Sequence, residues 1–103
     1  KINASKNERI NVNTTVSCKE NTNYTLECMI KASDTFNSKI GLFVNNSSNL
    51  NLREKVFDVG SSWTKITLTV NTGNNSTLQI GAFLNGANNT DFVRIDNFTF
   101  QKK

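Results

Sequence analysis

Apolar residues recur at every second position along much of this chain, and no window carries the 3.6-residue apolar stripe of an amphipathic helix. A period of two is the strand period, because successive side chains of an extended backbone point to opposite faces. Tyr24, Leu26, Cys28 and Ile30 alternate with Thr25, Glu27, Met29 and Lys31. Ile40, Leu42 and Val44 alternate with Gly41, Phe43 and Asn45, and Ile66, Leu68 and Val70 with Lys65, Thr67 and Thr69. Leu78, Ile80, Ala82 and Leu84 alternate with Gln79, Gly81, Phe83 and Asn85. Further strands are expected from Ile10 to Cys18, from Arg53 to Val59 with Val56 as the surest core position, and from Phe92 to Phe100. The segments between them are rich in Asn, Ser, Asp and Gly, and because proline is absent the turns rest on those residues.

The last strand breaks parity. Val93 and Ile95 share one face, whereas Phe98 and Phe100 share the other. One extra residue near Asp96–Asn97 would let both pairs face the core, which predicts a β-bulge there. Seven or eight short strands with turns every eight to twelve residues predict an all-β fold, an antiparallel β-sandwich, formed by one domain over residues 1–103. Strands never alternate with helical segments, which excludes a βαβ topology.

Composition narrows the chemistry. Only 36% of the 103 residues are hydrophobic, so the core must be thin. No 18-residue apolar run is present, which argues against a membrane-spanning helix, and any export leader is expected outside this sequence. Histidine is absent, which removes His-ligated zinc, Ser-His-Asp catalysis and a Cys-His dyad. The net charge is +4, but the 12 Lys and Arg residues are scattered, as on a solvated surface rather than a nucleic-acid-binding face. Asparagine is abundant at 18 residues, and nine stretches fit Asn-x-Ser/Thr; in so Asn-, Ser- and Thr-rich a chain, chance accounts for most of them.

Three stretches carry a family resemblance. Asn21-Thr22-Asn23-Tyr24-Thr25-Leu26-Glu27-Cys28-Met29-Ile30-Lys31-Ala32-Ser33 resembles the "pnTtYtLsfwvKas" segment of jelly-roll carbohydrate-binding modules of the family-four and family-twenty-two types. Gly60-Ser61-Ser62-Trp63-Thr64-Lys65-Ile66-Thr67-Leu68-Thr69 is similar to their "tsWtkytlt" segment, and Val93-Arg94-Ile95-Asp96-Asn97-Phe98-Thr99-Phe100 to their closing "vyvDdvsl" strand. Their order and spacing agree over roughly residues 10 to 100. The resemblance implies a jelly roll that binds glycan without doing chemistry, as an accessory module beside a catalytic domain in a secreted, bacterial polypeptide. It also implies a structural calcium to which Asp96 contributes. The early "NpgFE" segment has no counterpart before Ile10, and Glu8 lacks its context, so Asp96 is the one metal ligand carried over.

Parity selects the candidate binding residues. The off-core positions of three strands are Glu27, Met29 and Lys31; Gly41, Phe43 and Asn45; and Gln79, Gly81, Phe83 and Asn85. If these strands share one sheet, that face is a glycan cleft. Its apolar floor would be Phe43, Phe83 and Met29, with convergent amides and charges, room for a sugar ring over Gly41 and Gly81, and Arg94 at the border. The competing reading has a loop or a second protein covering the same apolar face. Trp63 and Tyr24 suit packing positions more than sugar platforms. Asp34, Asp58, Asp91 and Asp96 show no catalytic carboxylate pair, so turn chemistry is their expected role. Cys18 and Cys28 both have inward parity; a plain hairpin would set Cys18 against Tyr24 and Cys28 against Thr14, so a bridge requires the two strands to lie in opposite sheets. Buried free thiols are the equal alternative.

These readings point to a non-catalytic carbohydrate-binding module whose partner is a polysaccharide or oligosaccharide. The alternative is a structural or adhesive sandwich domain of a cell-surface or phage-tail protein that binds another protein.

Overall fold

A computed structural model describes residues 1–103 and contains eight strands and no helix. They are β1 (Ile2–Asn3), β2 (Arg9–Ser17), β3 (Asn23–Ala32), β4 (Lys39–Asn46), β5 (Asn51–Phe57), β6 (Thr64–Asn71), β7 (Thr77–Asn85) and β8 (Phe92–Lys102). Sheet A has the order β1-β8-β3-β6 and sheet B the order β2-β7-β4-β5, with every pairing antiparallel. Consecutive strands from β2 to β4 switch sheets or skip neighbours, which is the crossover pattern of a jelly roll.

The alternating residues of both sheets meet in one cluster of 17 buried side chains, including Leu26, Cys28, Ile30, Leu42, Leu68, Ile80 and Leu84. Tyr24 closes one end. Its ring stacks on Phe100 at 4.7 Å between centroids, and its hydroxyl accepts a hydrogen bond from the Lys19 amide at 2.9 Å, which satisfies the polar atom that burial would otherwise strand.

The bulge forms where parity required it. Glu27 pairs with Thr99 and Met29 with Asp96, so β8 uses one residue more than β3 between the two pairs. Asn97 takes a left-handed φ of 54°, and its amide is held by Asp96 Oδ1 at 2.9 Å. Ile95 and Phe100 both reach the core as a result. Phe98 stays 37% exposed at the open side of the sandwich, because β1 covers only the first two residues of β8.

Two packing expectations are corrected. Val56 is 45% exposed, because Ile40 pairs with Phe57 and so Phe57, not Val56, turns inward from β5. Trp63 is 46% exposed, lying before β6 begins and outside the core. The hairpin between the first two long strands is replaced by a crossing between sheets. Even so, Cys18 and Cys28 are free thiols, the first beyond the end of β2 and the second in the middle of β3.

Candidate functional site

Sheet B presents an outer face built in four register rows. Arg9, Asn85 and Lys39 form the first, and Asn11, Phe83, Gly41 and Val56 the second. Asn13, Gly81, Phe43 and Glu54 form the third, and Thr15, Gln79, Asn45 and Asn51 the fourth. Each row follows from strand alternation, since Ile10, Val12, Ile80, Leu42 and Val44 take the inward positions.

Phe43 and Phe83 therefore lie off the main core, as parity requires, yet each is only 1% exposed. Their cover is a side chain, not a loop. Arg9 leaves the β2 edge and crosses the sheet to bond Glu54 on β5 at 2.8 Å, while its Nε donates to Asn11 Oδ1 at 2.9 Å. The guanidinium sits 4.0 Å from the Phe83 centroid and 5.9 Å from that of Phe43. The two rings meet at 6.5 Å with a 49° tilt.

The glycines do not leave room for a ring. A Cβ on Gly41 would fall about 2.4 Å from Phe83 Cζ, so the Phe83 ring already fills that space. A Cβ on Gly81 would fall about 2.1 Å from the Val12 carbonyl oxygen, so this glycine serves close approach of the β2 backbone. Solvent meets on this face a set of amides around a guanidinium–carboxylate pair, with Lys39, Thr15 and the exposed Val56 beside them and Asn45 Oδ1 accepting from Asn51 Nδ2 at 2.9 Å. Such groups donate and accept at once, as sugar hydroxyls require.

The candidate residues divide between the two sheets. Phe43, Asn45, Gln79, Phe83 and Asn85 come together on sheet B. Glu27, Met29 and Lys31 do not join them, because β3 lies in sheet A, and Arg94 on β8 lies there too. Sequence parity missed Arg9, Glu54, Asn11 and Asn13, whose strands it expected but could not assign to this sheet. Asp96 is exposed and no group of three His, Cys, Asp or Glu residues lies near enough to hold a metal, so one carboxylate does not fit the several oxygen ligands a calcium ion needs.

Asp91 is a structural anchor. It is 4% exposed, and its Oδ2 accepts from Asn37 N at 3.0 Å, Ser38 N at 2.8 Å and Ser38 Oγ at 2.7 Å. Burial alone would raise its pKa, but these bonds, together with Asn88, outweigh burial and hold the carboxyl below its usual range.

No protein-family model matches the sequence, and no curated protein matches it. Solved structures share its fold. A family 4 carbohydrate-binding module aligns with 90% of this chain at a TM-score of 0.74 and 17% identity. The chain spans 61% of that module's length. The CBM22-1 xylan-binding domain of Paenibacillus barcinonensis Xyn10C aligns with 85% at 0.59 and 12% identity, the chain spanning 62% of it. The enzymatically active domain of tailspike protein 4 of bacteriophage CBA120 aligns with 92% at 0.67 and 12% identity, but the chain spans only 14% of that domain. The fold is thus a jelly roll of the kind found in family-four and family-twenty-two carbohydrate-binding modules. At such low identity the likeness carries the fold alone, and function must be argued from the site.

Proposed function

We propose that this domain is a non-catalytic carbohydrate-binding module that holds a polysaccharide against the outer face of sheet B. The observation that carries the reading is that face itself. Asn11, Asn13, Asn45, Asn51, Gln79 and Asn85 surround the Arg9–Glu54 pair on a rigid floor of two buried phenylalanines. Asn11, Asn45 and Asn51 are held by side-chain hydrogen bonds, and groups so preorganised cost little entropy to engage. The resemblance in the sequence adds the setting: a secreted or cell-surface bacterial protein, with a catalytic domain in the same polypeptide.

Affinity gel electrophoresis against a panel of neutral and acidic polysaccharides tests the proposal, followed by calorimetry on whichever retards the protein. Asn45→Ala and Asn85→Ala should each weaken binding by roughly two- to tenfold, the worth of one net hydrogen bond. Unchanged affinity in both variants overturns this face as the site.

A second reading, an adhesive or structural domain bound to another protein, rests on one observation. Val12, at 42% exposure, and Phe98 flank an apolar slot of about 200 Å³ on the open side of the sandwich. No retardation on any polysaccharide, with loss of a protein partner on Val12→Asp, would favour it.

A further inference from the structure

The outer face of sheet A carries a row of cations, none of them paired with a carboxylate. Lys31 and Arg94 lie directly opposite each other in the β3–β8 register, an arrangement that costs stability between like charges. Lys1 immediately precedes Ile2, which pairs with Val93 next to Arg94. The half-exposed Trp63 immediately precedes β6, whose first residue, Thr64, pairs with Ile30 next to Lys31. Lys1 Nζ stands 4.3 Å from the Phe92 ring centroid and Arg94 Cζ 5.6 Å from it. The two ion pairs of the molecule, Arg9–Glu54 and Lys65–Glu27, involve none of these cations.

Beside this row opens a cleft of about 320 Å³ lined by Lys31, Ser33, Asp34, Ser61, Phe92 and Arg94. Its walls are fixed by hydrogen bonds that join three segments: two between backbones, Ala32 N to Gly60 O at 2.8 Å and Ser33 N to Phe92 O at 2.9 Å, and one from Phe92 N to the Ser33 side chain, Oγ, at 3.1 Å. Unpaired positive charge at the border of a polar cleft favours a ligand carrying an anionic group.

We propose that this cleft binds an acidic sugar residue, a uronate within a polysaccharide. Its carboxylate lies between Lys31 and Arg94, whose guanidinium fork matches two carboxylate oxygens. Its hydroxyls face Asp34, Ser33 and Ser61, where a carboxylate accepts and hydroxyls donate or accept. Asp34 in the lining, and Asp96 one outward pair further along β8 opposite Met29, disfavour a doubly charged phosphate and suit a single charge accompanied by hydroxyl donors. Trp63 offers a flat surface to the neighbouring ring. This site is on the opposite sheet from the amide-lined face and stands or falls without it.

The test is titration with trigalacturonate, followed by calorimetry and amide NMR shifts at about 0.15 M salt, where attraction beyond roughly 8 Å is screened. Arg94→Gln and Lys31→Gln should each weaken binding roughly tenfold or more, as loss of a charge-assisted hydrogen bond implies. Arg94→Gln relieves the like-charge pair, so its melting temperature should hold, and any loss of binding is not unfolding. Lys102→Gln, which removes the same charge from the far end of β8, should leave affinity unchanged. The proposal is overturned if Lys102→Gln weakens binding as much as Arg94→Gln. Equal binding of the carboxyl-reduced neutral trisaccharide or of inorganic phosphate, or no shifts at residues 31–34 and 92–94, overturns it as well.

Discussion

The guanidinium of Arg9 lies 4.0 Å from the ring centroid of Phe83, and that contact explains why two central strands of a two-layer sandwich are buried on both faces. An antiparallel sheet with one wet face shows buried and exposed residues in alternation. Here β4 runs buried from Ile40 to Val44 and β7 from Ile80 to Leu84. Phe83 lies over Gly41, Phe43 tilts against Phe83, and one arginine side chain spans the sheet to seal both. The stem and planar head of Arg9 thus do what a third layer would do in a larger protein.

Arg9→Ala should destabilise the domain by about 1–2 kcal/mol, chiefly by removing a partly desolvated cation–π contact and uncovering two aromatic rings. Glu54→Ala should cost less than about 1 kcal/mol, because both partners of that ion pair are more than a third exposed and solvent screens it. Urea denaturation of the two variants separates the effects. Equal losses would mean that the ion pair, not the stacking, holds the strap.

Phe83→Ala should cost about 3 kcal/mol, the low end of the range for a buried phenylalanine, although its side chain points away from the main core. The ring fills the space over Gly41, so its removal leaves a void beneath the Arg9 side chain. Thermal or chemical denaturation reads the loss directly. A penalty below about 1 kcal/mol would show that the ring is dispensable to the sheet and free for a ligand.

Strand periodicity made most of the fold legible, because each long strand with one buried face writes its own alternation. The bulge at Asp96–Asn97 was legible for the same reason: Val93 and Phe100 cannot share a face without an inserted residue. Sheet membership was not, since alternation fixes which residues share a face of one strand and says nothing about which strand lies beside it. Grouping Glu27, Met29 and Lys31 with Phe43 and Phe83 failed on that point. Val56 was misplaced because an edge strand buries little, so a lone valine there carries weak information. Arg9 was invisible as a cover, because its reach across two strands depends on a neighbour order that only the assembled sheet supplies.

Cys28 should resist alkylation in the native protein. Burial, and secondarily the charge of Glu27, push its thiol up to about 11, so almost no thiolate exists near pH 8. Cys18, half-buried with its thiol donating to the Asn75 carbonyl at 3.4 Å, is also raised, by burial first and then by Glu20. Iodoacetamide labelling followed by mass spectrometry should modify Cys18 slowly and Cys28 only at the rate of unfolding. Labelling of Cys28 at the rate seen in urea would contradict its burial.

Asp91 should make the domain acid-sensitive. Its carboxylate ties together Asn37 and Ser38 through Oδ2, while Ser38 Oγ in turn accepts from Ala87 N at 2.9 Å. Its backbone carbonyl accepts from Ala4 N at 2.8 Å, so one residue joins the β3–β4 loop, the β7–β8 loop and the segment after β1. All three donors to Oδ2 favour the ionised form, and they hold the folded pKa below the unfolded value of about 3.9. A depressed carboxylate pKa contributes stability that is fully present above the unfolded value and is lost as pH falls through the folded one. Melting temperature should therefore hold from neutrality to about pH 5 and fall below about pH 4. Asp91→Asn turns an acceptor-only group into one whose NH₂ can face the donors, and should cost about 1–3 kcal/mol at pH 7. The same variant should flatten the acid limb, because the charge that titrates there is gone. Melting curves of both proteins from about pH 2 to 7 decide the matter, and a variant with wild-type stability at pH 7 would remove Asp91 from the role of anchor.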